Sequence, residues 1–422
     1  MVNPSDIYTF GIALITLILA VFWFLIFIDI NRARRREETR KVKKTGKLKT
    51  VAVLIPTLAE REELRRTVNT ALASDYPKKM FKVYVVLNKS SPSSTREIAY
   101  SMRSNRVKII EAPMNGKAAV MNYALKNFIK EELLLILDAD TLINGDLMYR
   151  LAIQFKSKRV GGVVSSVRVY RPRNALEYLQ KYEYMLSVMA RKAMSVLGGL
   201  MVAHGAGSMF STAVIRKVGY FDEKNYTEDM EMGLRLLVNG YLVENSIEAV
   251  SYTIVPSTLK GLVKQRLRWF SGFFINIMKY RKRIMSTKYR VLGLVVVPMS
   301  LVSILLGIVV VVGLVYYFAS LALYFYALAA NTSLSYAFFS SFQFSVFSLN
   351  TIYITLIVLT VISLSSLFYS LRSVNGRLDA FKDTFGILIY SIFYSFFLSF
   401  VWLASLIMLS VRRRGVGWGI PT

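Results

Sequence analysis

The 422-residue sequence contains no cysteine and a single histidine, His204. The absence of thiols excludes a disulfide framework, a thiolate metal site, a cysteine nucleophile and a cysteine-held cluster. One imidazole excludes a multi-histidine zinc or iron centre. Any general base other than His204 must then be a carboxylate, or a lysine or tyrosine. Charge is scarce too: 19% of residues are charged and 54% are hydrophobic, a balance poorer in charge than that of soluble proteins. Acidic residues are the scarcer sign, 26 against 54 basic ones, for a formal net charge of +28. The chain should divide into membrane-embedded and soluble parts, with room for one good-sized soluble domain and several spans.

Residues 7–28 carry no charge and are nearly all apolar, long enough to cross a bilayer as a helix. A cleaved signal peptide would have a basic start and a shorter apolar run. Here the run begins after Met-Val-Asn-Pro-Ser-Asp and is followed by Arg32, Arg34, Arg35 and Arg36. An uncleaved anchor over 1–31 is expected, its basic flank in the cytoplasm by the positive-inside rule. A second apolar block extends over 286–411. Charge parity between the basic segment 279–290 and a cytosolic tail, 412–422, calls for an even number of spans. Four fit: about 290–311, 313–331, 350–371 and 384–410, the first two forming a hairpin near Gly313, with an interfacial helix near 332–348. That makes five spans in all, with four as the rival count. The result is a multi-pass plasma-membrane protein in contact with membrane lipid. Nucleic acid is not an expected partner. Much of the basic excess flanks spans, where it meets anionic headgroups, and no basic-aromatic nucleic-acid motif is present.

The block 48–285 alternates strands and helices. Lys49–Pro56, Phe81–Leu87, Val107–Glu111 and Leu133–Leu137 read as strands. Glu60–Ser74, Ser94–Arg103, Gly116–Phe128 and Met230–Val238 read as helices. Repeating units of this kind imply an α/β domain with a mostly parallel sheet and helices on both faces. Ligands bind such sheets outside the carboxyl ends of the strands. Three polar signatures draw the eye. Asp138-x-Asp140 follows an apolar strand, and residues i and i+2 of an extended chain point the same way. They can grip a hard divalent cation or simply cap a turn. Thr227-Glu228-Asp229 opens a helix, as capping residues do, or supplies a general base. Gln265-Arg266-Leu267-Arg268-Trp269 suits a basic amphipathic surface helix, or arginine on phosphate with tryptophan stacked on a ring.

In this order the motifs resemble those of the membrane-bound family-2 glycosyltransferases with a GT-A nucleotide-sugar domain, nearest the hyaluronan, chitin and cellulose synthase-like branch. The matching pieces are Val53-Leu54-Ile55-Pro56-Thr57 with Glu60, Asn115-Gly116-Lys117-Ala118 with Asn122, Asp138-x-Asp140, Gly219-Tyr220-Phe221-Asp222-Glu223, Thr227-Glu228-Asp229 and Gln265-x-x-Arg268-Trp269. They cover about 50–270. The resemblance implies that Asp229 is the catalytic base, with Glu228 and Thr227 shaping its site. It implies that Asp140 holds Mg2+ or Mn2+ on the diphosphate and that Asp138 lies near the nucleotide. Pro56, Thr57, Glu60 and Lys117 would contact the donor, a nucleotide-sugar usually linked to uridine diphosphate. Gln265, Arg268 and Trp269 would bind diphosphate and acceptor. His204-Gly205-Ala206-Gly207-Ser208 falls where the family keeps an acceptor-facing loop, His204 being structural. One position departs: where the family has an acidic element after the second strand, this chain has Asn88-Lys89. Asn88 keeps hydrogen-bonding capacity for a base edge, and no role is carried over for Lys89.

The expected activity is inverting transfer of a sugar to a growing polysaccharide or a lipid-linked acceptor at the cytosolic membrane face, with the product open to export. The rival within the family is a nonprocessive glycolipid synthase resembling ceramide glucosyltransferase. The remote rival is a membrane scaffold with a decayed nucleotide site.

Overall fold

In the computed structural model, residues 4–39, 48–286, 291–331, 351–375 and 382–412 are described. The soluble part opens with strand–helix repeats: β1 (Val51–Thr57), α2 (Glu62–Leu72), β2 (Phe81–Leu87), α3 (Ser93–Ser101), β3 (Val107–Glu111), α4 (Lys117–Asn127) and β4 (Leu133–Ile136), all preceded by α1 (Pro4–Thr39). β1 pairs in parallel with both β2 and β4, and β2 with β3. Every residue of β1 is buried, as a central strand covered on both faces requires. Successive β1 side chains alternate between two cores. Val51, Val53 and Ile55 pack with Leu64 and Val68 of α2. Ala52 and Leu54 pack on the other face with Val120, Met121 and Leu125 of α4. Burying a side chain of this size contributes about 1.5–3 kcal/mol.

The chain continues through β5 (Leu142–Ile143), α5 (Leu147–Ala152), β6 (Val160–Val169), α6 (Ala175–Val196), β7 (Ser208–Ser211), α7 (Thr212–Val218), α8 (Glu228–Val238), β8 (Leu242–Thr253) and α9 (Leu259–Ile284). The eight-stranded sheet has the order β3-β2-β1-β4-β7-β6-β8-β5. It is mixed: β7 runs antiparallel to β4 and β6, and β5 antiparallel to β8. The expected α/β sheet with helices on both faces is present, with an antiparallel strand in its middle. That strand matters for the site. Ser208 pairs with Ile136, so the His204–Gly207 loop entering β7 is delivered to the carboxyl end of β4, where Asp138 follows.

Beyond the sheet, a π-helical turn, Leu292–Val296, leads into α10 (Val297–Asn331). Then come α11 (Thr351–Asn375), α12 (Lys382–Ile389), a second π-helical turn (Tyr390–Tyr394) and α13 (Ser395–Arg412). Among the described residues, three helical stretches are long and apolar enough to cross a membrane, Ala13–Ile30, Leu292–Leu328 and Ile357–Val374, with a shorter apolar helix at Ser395–Val411. The hairpin expected near Gly313 is not formed: 292–328 is one 37-residue helical stretch, about 55 Å long. A lone glycine costs a helix only about 1 kcal/mol, whereas a turn inside the bilayer strands backbone groups without partners. The π-helical turn instead falls just before Pro298, the second residue of the following α-helix, which has no N–H to give its turn. The expected interfacial helix near 332–348 lies outside the described residues.

The two regions are packed together. On α6, Tyr182, Met185 and Met189 meet Phe27 and Ile30 of α1 and Leu367 and Leu371 of α11. On α9, Phe270 stacks on Trp402 of α13, centroids 3.7 Å apart and 3° from coplanar.

Candidate active site

The site forms where the carboxyl ends of β1, β2 and β4 meet the start of α8. At the end of β1, Glu60 folds back on its own turn. Its Oε2 accepts from Thr57 Oγ1 at 2.7 Å, Leu58 N at 2.8 Å and Ala59 N at 3.1 Å. Burial opposes the charge, but the hydrogen bonds, led by that from Leu58, hold Glu60 below the usual carboxylate range. Pro56 is buried in β1 beside Val86. Asn88, 5% exposed, spans the gap to the next loop: its Nδ2 donates to Thr57 O at 2.8 Å, and its Oδ1 accepts from Gly116 N at 2.9 Å. Both ends of this amide are thus engaged by backbone.

Gly116, at φ 101°, turns the chain into α4 and presents Lys117. Its Nζ lies 2.6 Å from Asp138 Oδ1 and 3.1 Å from Glu228 Oε1, so one ammonium joins two of the sequence signatures. The third junction is Gly205. Asp138 N donates to Gly205 O at 3.2 Å, and Gly205 N donates to Asp229 Oδ2 at 3.1 Å. The other Asp229 oxygen accepts from Met230 N at 2.8 Å. Lys117, Asp138, Glu228 and Asp229 are thereby brought into one cluster.

Asp140 belongs to the same field. Burial, then the charges of Asp138 and Glu60, push its carboxyl up to about 6. Asp229 is likewise raised to about 6 by burial and by Glu228, partly offset by Lys117. Lys117 is raised as well: three carboxylates outweigh its burial. His204 is forced the other way, to about 3, by burial and the nearby Arg191 charge. It is therefore neutral, with Nε2 3.1 Å from Ser165 O, and sits outside the carboxylate cluster.

The Gln265–Trp269 segment lies on α9, whose position is set by Gly272. A Cβ there would fall 2.4 Å from Thr227 Oγ1, so only glycine lets α9 approach Thr227 this closely. Asn276 Nδ2 donates to the same hydroxyl at 3.1 Å. Spacing puts Gln265, Arg268 and Trp269 on one helical face. Arg266 faces inward and is fully buried. It makes a two-pronged ion pair with Glu183 of α6, Nε–Oε1 3.1 Å and Nη2–Oε2 2.5 Å, and also donates to Gln265 Oε1. Its guanidinium lies 4.3 Å from the Trp269 ring centroid, and Tyr184 flanks that indole at 6.5 Å. Tyr184 is raised to about 12 mainly by burial, with Arg266 lowering it and Glu183 raising it. Arg268 is exposed and makes no ion pair among the described residues.

Sequence reasoning missed Glu183, Tyr184, Arg191 and the structural part of Arg266. Arg191 Nε and Nη2 are buried without hydrogen-bond partners among the described residues. Nothing in α6 announces these roles, because Glu183 and Arg266 are 83 positions apart.

Residues 49–272 match the family described as glycosyltransferase like family 2. The chain is 28% identical over 226 residues to a poly-beta-1,6-N-acetyl-D-glucosamine synthase of Staphylococcus epidermidis, covering 53% of this chain and 54% of the relative. It is 27% identical over 261 residues to the synthase of the same description from Staphylococcus aureus, covering 60% and 62%. The match thus spans little more than half the length of these relatives. Among solved structures, a mannosyltransferase from Pyrobaculum calidifontis in complex with GDP-Man and Mn2+ superposes with a TM-score of 0.52 at 20% identity, covering 86% of this chain and all of that one. The match over more than half of its length makes this chain a member of glycosyltransferase family 2.

Proposed function

We propose that this chain is an inverting glycosyltransferase that moves a sugar from a uridine-linked nucleotide-sugar to a growing polysaccharide at the inner membrane face. One observation carries the assignment. Of five carboxylates at the site, Asp138 and Glu228 are paired with Lys117 and Glu60 is satisfied by its own turn. Asp140 and Asp229 make no ion pair among the described residues, and both are raised to about 6 even though the Lys117 charge reaches them. Of these two carboxylates without an ion pair, Asp229 suits a base and Asp140 a cation.

Asp229 takes the proton of the acceptor hydroxyl as that oxygen bonds to the anomeric carbon. The bond from this carbon to the nucleoside diphosphate breaks, and the diphosphate leaves with its electron pair. The hydrogen bonds from Gly205 N and Met230 N aim Asp229, and its raised proton affinity makes it a better base than an ordinary aspartate. Because Asp138 and Glu228 are tied to Lys117, no spare carboxylate is offered as a nucleophile, and direct displacement inverts the anomeric centre. Glu228 acts by holding Lys117. Arg268 is the uncommitted arginine of its motif and would meet the diphosphate, with Trp269 on the sugar face. Thr57, Glu60 and Pro56 would line the nucleotide side. Asn88 would act there by fixing the Thr57 and Gly116 loops.

Two carboxylate donors, with phosphate oxygens of the nucleotide-sugar completing the set, suit a divalent ion, although no cluster of three or more protein ligands is present among the described residues. Asp140 makes no ion pair among the described residues, although the Lys117 charge reaches it, and it stands two residues from Asp138, oxygen donors that leave positions for phosphate oxygens. Bound there, Mg2+ or Mn2+ would offset the charge on the departing diphosphate.

The test is to give the purified chain a panel of nucleotide-sugars with each ion and to follow diphosphate release and product length. Release from a uridine donor with a ladder of lengthening products is expected. A single-addition glycolipid would move the assignment to the nonprocessive relatives. Silence with every donor would remove it.

A further inference from the structure

The chemistry above uses none of the basic residues at the far ends of α7, α8 and α9. There Lys217, Arg235, Lys279, Arg281, Lys282 and Arg283 line an open cavity of about 700 Å3, and no carboxylate lines it. Two of these cations are compensated from behind. Glu231, fully buried, pairs with Arg235 at 2.5 Å and Lys279 at 2.8 Å, and Asp222 takes Lys279 at 2.7 Å. Lys217, Arg281, Lys282 and Arg283 make no ion pair among the described residues, Arg281 donating only to Met278 O.

A simpler account is that these residues answer the negative ends of their helices, since each sits in a last turn. A helix end carries about half an elementary charge. The three ends that meet here would offset about one and a half of the four positive charges. A net positive cavity remains, lined by ammonium and guanidinium groups that bind phosphate oxygens well. Its place decides the source of the phosphate. α9 runs towards the apolar helix that begins at Leu292, and its outer side interleaves exposed Met278 and Met285 with Arg281 and Lys282 at helical spacing. Met285 is 82% exposed. Apolar and basic groups on one helix face next to a span mark the headgroup level of a bilayer.

We propose that this cavity binds the phosphate of an anionic phospholipid headgroup and that its occupancy steadies the active site. α8 begins at Glu228 and Asp229 and ends at the cavity with Arg235. α9 carries Gln265–Trp269 and ends there too. Lys279 and Tyr280 of α9 both bond Glu231 of α8. A headgroup between the two helix ends adds a shared partner to this clamp. The coupling rests on the transferase reading; the binding does not.

Native mass spectrometry of the full chain, in micelles doped with phosphatidylglycerol or phosphatidylcholine, measures the binding. Preferential retention of phosphatidylglycerol is expected, weakened about thirtyfold in the K282Q/R283Q variant and about fivefold in K217Q on the separate helix. Equal retention of the two lipids, or unchanged retention in both variants, overturns the proposal. Displacement by millimolar inorganic pyrophosphate overturns the lipid source in favour of a soluble phosphate. In nanodiscs, diphosphate release by the unsubstituted chain should rise with phosphatidylglycerol content, and release by K282Q/R283Q should stay flat. A rate indifferent to lipid in the unsubstituted chain overturns the coupling. Absence of turnover with every donor would instead strike the transferase reading and leave the lipid measurement standing.

Discussion

Gly205 approaches Asp138 so closely that a methyl group on its α-carbon would lie 2.5 Å from Asp138 Oδ1 and 2.6 Å from Lys117 Nζ. The same residue gives its N–H to Asp229, so the proposed base and the ion-paired acidic turn are both referenced to one glycine.

Gly205→Ala is expected to lower sugar transfer at least tenfold. The added methyl must push aside the Asp138 carboxylate and the Lys117 ammonium, the movable ends of their side chains, or move the loop that aims Asp229, so turnover should suffer more than stability. Diphosphate release measures the first effect and thermal unfolding the second. An alanine variant with normal turnover would contradict the role given to this loop.

Asp229→Asn should keep nucleotide affinity and lose transfer by about a hundredfold or more, the range a general base contributes. The pH profile supplies a separate check. Only the deprotonated carboxylate accepts a proton, and Asp229 is raised to about 6. The rate should therefore climb as pH rises through about 6 and fall below it, and the residual rate of Asp229→Asn should lack that limb.

Asp140→Ala should abolish the dependence of nucleotide binding on Mg2+ or Mn2+, and chelation of the ion should act on the unsubstituted chain in the same way. Calorimetry reads both. Equal affinity with and without the ion would remove Asp140 from the cation site.

The two arginines of Gln265–Trp269 should separate cleanly. Arg266→Gln leaves Glu183 without its partner in a buried setting, a loss of about 3–5 kcal/mol. Replacing both residues by apolar ones should be milder than either single change. Arg268→Gln, at an exposed position, should leave unfolding unchanged and raise the donor KM. Denaturation of the variants in detergent, with kinetics beside it, tests the pair.

The parts legible in the sequence are those whose cause is local. β2 and β3 have the bounds expected from their apolar runs, Phe81–Leu87 and Val107–Glu111, and the helices α2, α3 and α4 lie within about two residues of expectation. The acidic signatures could be found because each sits at a strand or helix end. What escaped depends on distant partners. The bonds of Asn88 to Thr57 and Gly116, which tie two loops together, could not be read from its own position. Arg266 and Arg268 are indistinguishable by type; only Glu183, far away on α6, decides which is structural. Gly313 suggested a turn, but a glycine carries no instruction to break a helix when the surroundings penalise exposed backbone.

Glu183 answers to three masters. It is rooted in α6, clasps Arg266 beneath the Trp269 indole, and accepts at 2.7 Å from the hydroxyl of Tyr394 in the π-helical turn leading into α13. A tilt of that apolar helix would reach the ring proposed to cradle the sugar through this carboxylate as well as through the Phe270–Trp402 stack next to it. Bilayer thickness or lateral pressure acting on the last helix would be felt as a change in sugar stacking.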